Sequence, residues 1–284
     1  AADGIRDKQI GLVGSEMCIR DRHYVFEVSN VRNGDELSIW PLNARSLALS
    51  ALLGTHPPQL PGRALVALAR LFEIPAGTMR TALSRMAAND EVIRNDSRYH
   101  LTGRLLDRQH AQDTARQAPA TPWDGRWHTI VAAADQRQVA DRRRFRSSMV
   151  DHHFGELRPD IWMRPANLDR PPSESEWICT SGALAGLDAA VLVGKLWDLD
   201  RLAAEAHHSL ERLDQLWRCT DWGDERSIPD AFICSAAVLR FLRTDPMLPS
   251  ELAPQRWPVD ELRIGYGQFE RALQQLLRSF LSSV

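Results

Sequence analysis

Between Asn43 and Arg104 the apolar residues repeat at helical spacing three times and then give way to two short runs of strand character. Few folds accommodate that order. Ser46 to Leu53 carries the first helical period and stops at Gly54, a residue type that commonly ends helices. Thr55-His-Pro-Pro-Gln-Leu-Pro61 reads as a connector, since proline disfavours helix at the residue before it. Pro61 and Gly62 open a second helix, Arg63 to Phe72, in which Leu65, Leu68, Ala69 and Phe72 recur on one face. A third begins at Ile74-Pro75 and runs to about Asn89. Glu91 to Arg94 and Arg98 to Leu101 are β-like and are joined by the turn-forming triplet Asn95-Asp-Ser97. Three helices and a hairpin are the pattern of a winged helix-turn-helix, here over residues 43–106.

The third helix has two unlike sides. Met79, Ala82, Leu83 and Met86 form its apolar stripe, while Arg80 with Ser84, and Thr81 with Arg85, lie four apart on the opposite side. Arginine donates bidentately to guanine, and Ser and Thr contact base edges or phosphates, so this side suits the major groove of DNA. Thr78, near the helix start, is placed to bind a phosphate together with exposed backbone N–H groups. Arg94 and Arg98 flank the hairpin turn, within reach of the DNA backbone or minor groove. From Gly62 to Arg104 there are seven arginines and four acids, a local excess of +3 in a chain whose net charge is −2. That local excess is what phosphate attraction requires. An ordinary solvated surface helix is the bland alternative, and the hairpin and local charge weigh against it.

Asp107 to Pro122 is polar and Ala/Gln-rich and reads as a helix end and linker, residues 107–122. A middle domain over 123–197 follows, with strands Trp127 to Ala132, Asp160 to Arg164 and Glu176 to Thr180 and a helix from about Gln136 to His152. This alternation suggests a small ferredoxin-like α+β unit. From 198 to 284 the pattern is helical: Leu199 to Trp217, Ile228 to Arg243 and Val259 to Ser282. The expected fold class is therefore a helix-rich, multidomain α+β protein.

Composition removes several alternatives. Cys18, Cys179, Cys219 and Cys234 form no CxxC pair, which fits a reducing cytoplasm better than a secreted disulfide framework. No apolar run approaches bilayer length; the best, Ala183 to Leu196, is broken by Asp188 and Lys195. A cytoplasmic protein with no membrane partner is expected. Ala1 to Arg22 carries no sustained period, and its second half resembles the translation of sequencing-adapter DNA. The native chain is expected to begin after Arg22, the alternative being a disordered arm.

Five motifs then occur in order. Thr78-Met-Arg-Thr-Ala-Leu-Ser-Arg85 is followed by Trp123-Asp-Gly-Arg-Trp127, by Phe154-Gly-Glu-Leu-Arg-Pro-Asp-Ile-Trp-Met-Arg-Pro165 and by Leu196-Trp-Asp-Leu199. The last is Asp245-Pro-Met-Leu-Pro-Ser-Glu-Leu-Ala-Pro-Gln-Arg-Trp-Pro258. Together they resemble the PaaX-like family of transcriptional repressors, regulators of phenylacetate degradation, over roughly residues 43 to 280. The resemblance implies a homodimer on double-stranded, palindromic operator DNA, released by an aryl-acyl-CoA, typically phenylacetyl-CoA. Two positions depart from the family pattern: Asp160, where glycine is common and the turn is expected to differ, and His128 after the WDGRW motif.

Candidate effector contacts are Trp127, Arg142, Arg143, Arg146, Trp162 and Arg164. The arginine-rich stretch Arg137 to Arg146 is either a phosphate clamp or a solvated face with Phe145 and Met149 inward. Trp123, Trp127, Trp162 and Trp177 either line an aromatic pocket or form core. His152-His153 and His207-His208 are adjacent pairs that splay apart on a helix, so no metal site is expected. No P-loop, GxSxG or GxGxxG sequence points to a cofactor or to other catalysis. Two further readings remain. One is a metal-dependent nuclease using Asp135 in the middle domain, since that domain of the family resembles a small CRISPR nuclease; Asp135 as a helix cap is the plainer role. The other is an acyl-CoA-binding module whose N-terminal domain does not bind DNA.

Overall fold

The structure, a computed structural model, describes residues 42–117, 122–132, 139–169 and 177–283. Residues 1–22, Asp135 and Arg137 lie outside the described residues. The architecture is mixed α+β and helix-rich.

The N-terminal unit runs α1 (Ala44–Leu53), β1 (Gln59–Pro61), α2 (Gly62–Leu71), α3 (Ala76–Ala88), β2 (Val92–Asn95) and β3 (Arg98–Leu101). Asn43 caps α1 by accepting from the Ser46 N–H at 2.9 Å. Pro61 and Pro75 occupy the N-cap positions of α2 and α3, where a missing N–H costs nothing. The connector expected before α2 contains a strand. Gln59–Pro61 pairs antiparallel with β3, giving a three-stranded sheet ordered β1-β3-β2. Pro61 hides this strand in the sequence, but β1 is an edge strand, where a proline is tolerated. The hairpin turn is tighter than the expected triplet: Asn95 belongs to β2, and only Asp96 and Ser97 turn, both at positive φ (42° and 68°). Such a turn matches the twist of the strands it joins.

The stretch read as helix end and linker is helical from Arg104 to Arg116 (α4). Its buried residues are Gln109, Gln112 and Ala115, so it shows no apolar stripe to a sequence reading. Gln109 instead serves a polar need, its side-chain N–H group donating to the carbonyls of Leu53 and Thr55 at 3.0 Å each. These lie at the C-terminal end of α1, where helix carbonyls lack partners.

The middle unit comprises β4 (Arg126–Ala132), α5 (Val139–Asp151), β5 (Gly155–Arg158), β6 (Ile161–Pro165), β7 (Trp177–Ala183) and α6 (Ala189–Leu196). Its sheet is antiparallel throughout in the order β5-β6-β4-β7. β5 was not expected from sequence, since Gly155–Arg158 holds a single apolar side chain, Leu157, and so shows no alternation. Gly155 is where β5 meets α6, since a Cβ there would lie 2.7 Å from the Leu196 Cβ. Asp160 turns the chain between β5 and β6 at φ 65°, the conformation glycine takes without strain, so the turn keeps a glycine-like backbone.

The C-terminal helices are α7 (Leu199–Cys219), α8 (Ile228–Leu242) and α9 (Pro258–Ser282). They bury a core of their own, in which Leu202, Leu213, Val238, Leu262 and Phe269 cluster, and α8 and α9 also complete the N-terminal one. Leu47, Leu52, Leu65, Met79 and Leu83 are buried in one cluster with Ile228, Phe232, Leu276 and Phe280 of α8 and α9. No helix among the described residues is long and apolar enough to cross a membrane.

Candidate nucleic-acid interface

The burial of α3 follows its two-sided sequence. Met79, Leu83 and Met86 are at most 1% exposed, packed among the helices below, while Thr78, Arg80, Thr81, Ser84 and Arg85 all face outward. α3 rests on α1 and α2, so the buried stripe fixes which side it offers. Arg80, Arg85, Arg94 and Arg98 are exposed, and no ion pair among the described residues uses any of them. Their positive charge is therefore available to an anionic partner. Glu91, the nearest acid in sequence to the hairpin base, is instead taken by Arg45 of α1 in a two-pronged contact at 3.0 and 2.5 Å.

Two details refine the face. The Ser84 hydroxyl donates to the Arg80 carbonyl at 3.0 Å, so towards a ligand it presents lone pairs rather than its hydrogen. Arg94 and Arg98 leave the hairpin from opposite faces. Val92 and Leu101 are paired and buried; Arg94 shares their face through its pairing with Tyr99, whereas Arg98 pairs with Asn95 on the other. One positive charge thus stands on each side of the hairpin tip.

The candidate effector residues are not brought together as a set. Trp162 is paired with Ile130 and Arg164 with His128, which puts both on the α5 side of the sheet. Trp127, paired with Pro165, lies on the other side, where it packs with Met163, Leu192, Val193 and Leu196. The four tryptophans therefore split across the sheet. Trp123 meets Trp127 edge-on at 6.0 Å, while Phe145 contacts both Trp162 and Trp177. A single pocket built from Trp127 and Trp162 is excluded, and the alternating pleat is the reason.

On the α5 side, Arg146 pairs with Glu156 at 2.7 Å and lies 5.6 Å from the Trp162 ring centre. Arg142 and Arg143 are exposed on the same helix, and Phe145 and Met149 point inward as expected. Arg164 is 3% exposed, donates to the Asp169 carbonyl and lies over the Phe154 ring at 5.0 Å. Burial pulls its pKa down to about 10.

A second polar cluster escaped the sequence reading. Asp245, fully buried, accepts from the Trp257 indole at 3.3 Å, from the Met247 N–H at 2.9 Å and from the Arg263 guanidinium. Its signal was the arginine at an inward position of α9, among Val259, Leu262 and Tyr266. Among the described residues no three His, Cys, Asp or Glu side chains form a group able to hold a metal ion.

Comparison with known proteins covers all three units. Residues 43–105 match the family described as PaaX-like protein, 120–175 the PaaX protein central Cas2-like domain and 197–283 the PaaX-like protein C-terminal domain. The chain belongs to the PaaX-like family. Among solved structures, this PaaX-like chain is similar to the uncharacterized protein Rv0674 from Mycobacterium tuberculosis, at 34% identity and a TM-score of 0.60. The similarity covers 84% of the PaaX-like chain and 98% of the mycobacterial one. No curated protein matches it.

Proposed function

We propose that this PaaX-like protein is a transcriptional repressor of an aromatic-acid (phenylacetate-type) catabolic operon, not an enzyme. In this reading it acts in the cytoplasm as a homodimer on double-stranded operator DNA and is released by an aryl-acyl-CoA such as phenylacetyl-CoA. The N-terminal unit is then a winged helix-turn-helix with α3 in the major groove and the β2–β3 hairpin as the wing. The middle sheet, with strand order β5-β6-β4-β7, is read as the ferredoxin-like unit.

The observation that carries this reading is the disposition of four exposed arginines. Arg80 and Arg85 stand on the outer side of a helix whose inner side is fixed by Met79, Leu83 and Met86, with Arg94 and Arg98 at the hairpin beside it. Thr78, Thr81 and Ser84 complete the face. Family membership supports the regulatory reading and the acyl-CoA class of effector. Arg142 and Arg143 are among the exposed cations of the middle unit and are available to the coenzyme A phosphates. For release to occur, the thioester must prefer the conformer that binds DNA weakly.

The test is fluorescence anisotropy of the protein on DNA from upstream of its own gene, across salt concentrations and with a panel of acyl-CoAs. Salt-sensitive binding relieved by one thioester is the expected result. Absence of binding to this and to distal candidate operators would sink the repressor reading.

A further inference from the structure

One buried loop lies between the middle unit and α4. From the middle unit, the His153 Nδ1 donates to the Asp245 carbonyl at 2.7 Å and the Asn167 side-chain amide donates to the Met247 carbonyl at 2.8 Å. On the loop's other side stands Arg263 of α9, 6% exposed. Its guanidinium binds the Asp245 carboxylate, donates to Asp260 at 3.1 Å and, through Nε, donates to the Ala115 carbonyl at 3.2 Å. Ala115 is in the last turn of α4, whose Gln109 holds the end of α1 by two hydrogen bonds. α1 in turn packs against α3.

The chemistry of this chain of contacts matters more than its continuity. Apolar surfaces slide past each other with graded loss of contact. A planar guanidinium fork satisfied on several sides has discrete arrangements, because a shift that breaks one bond leaves a buried polar group unpaired. A displacement of the Asp245–Met247 loop is therefore carried by Arg263 or costs a buried hydrogen bond. Asp151 and Arg243 add a further ion pair between α5 and the end of α8.

We propose that Arg263 is a positioning residue that couples the middle unit to the DNA-facing unit. In this mechanism, movement at His153 and Asn167 reaches α3 through the Asp245 loop, Arg263, α4, Gln109 and α1. The relay is mechanical and does not depend on protonation. Burial, with Arg164 and Arg263 nearby, holds the His153 pKa down at about 4, so its bond to Asp245 is unchanged across the neutral range. The functional half of this inference rests on the repressor reading; the structural half stands without it.

The structural half is tested by hydrogen exchange on the full chain. Asn167→Ala loosens the middle unit's hold on the loop. It is expected to raise exchange roughly threefold or more in α4 and at the end of α1, as well as in the loop itself. Adding Arg263→Lys, which keeps a positive charge at Asp245 but lacks the second prong to Ala115, is expected to abolish that rise relative to Arg263→Lys alone. An effect confined to residues 245–257, or transmission undiminished in the double variant, overturns the proposal. If Arg263→Lys fails to fold, Gln109→Met carries the test: the rise must then stop at α4, and a rise that still reaches α1 overturns the relay. In the anisotropy assay, phenylacetyl-CoA as probe is expected to release the wild type and leave Arg263→Lys bound; equal release of both overturns the coupling. A wild type that binds no DNA defeats the repressor reading, and the exchange result then decides the relay by itself.

Discussion

The ring of Phe72, just past the end of α2, meets the ring of Phe232 in α8 edge-on, with centroids 5.6 Å apart. This contact joins the N-terminal unit to the C-terminal helices inside one apolar core. Phe232→Ala removes a ring that is 7% exposed and is expected to cost about 3 to 5 kcal/mol. Because the core is shared, circular dichroism and exchange in α2 should report one concerted loss. Separate melting of the two regions would contradict the shared core.

Replacement of Arg80 or Arg85 by alanine is expected to weaken operator binding by about 1 to 3 kcal/mol each and to relax specificity at the contacted base pair. The melting temperature should stay close to that of the wild type, since both side chains are exposed and make no ion pair among the described residues. Arg94→Ala and Arg98→Ala should instead lower affinity uniformly across sequences and reduce the slope of binding against salt.

Gly155→Ala tests the seam between β5 and α6. The added methyl would meet the Leu196 Cβ at 2.7 Å, the Trp197 ring at 2.9 Å and the Leu196 carbonyl at 3.0 Å. Two of these three are atoms that cannot rotate away. Destabilisation of about 1 to 3 kcal/mol is expected in denaturant titration. A neutral result would mean that α6 shifts to accept the methyl.

Acid should destabilise the protein through His153. Desolvation by burial holds its folded-state pKa at about 4, well below the ordinary value of 6.5, against the opposing hydrogen bond to Asp245. Between those values the unfolded chain binds the proton and the folded chain does not. The contribution is thus fully present above pH 6.5 and is lost as pH falls towards 4, on the order of 3 kcal/mol in total. His153→Gln, which can still donate to the Asp245 carbonyl, should flatten this part of the stability–pH curve, measured by urea unfolding at successive pH values.

The elements legible in the sequence were those whose burial is apolar and periodic. α3 is one, because Met79, Leu83 and Met86 sit at helical spacing with arginines opposite. α8 and α9 are others, and the observed α9 departs from the expected span by a single residue at its start. Three elements without an apolar period or a flanking turn signal were not legible. α4 buries two glutamines, β1 ends in proline, and β5 holds a single apolar side chain. The equally short β2 and β3 were legible, through the turn between them. In the candidate site, Thr78, Arg80, Thr81, Ser84 and Arg85 share one side because a single helix orders them. The effector set drew on both β4 and β6, and the register between those strands decides which side of the sheet each tryptophan takes. No spacing within one strand reveals that register.

The core shared by α1, α2, α3, α8 and α9 also limits how the DNA preference proposed for α3 can be re-engineered. In a chain with a free-standing head, operator preference is exchanged by transplanting the whole head at its linker. Here a cut after Leu101 would open apolar surface on both pieces and would sever Gln109 from the carbonyls it satisfies. A transplanted head would need α8 and α9 as well. Altered preference is therefore best sought by repainting the outer side of α3 in place, at Arg80, Thr81, Ser84 and Arg85, with Met79, Leu83 and Met86 left untouched.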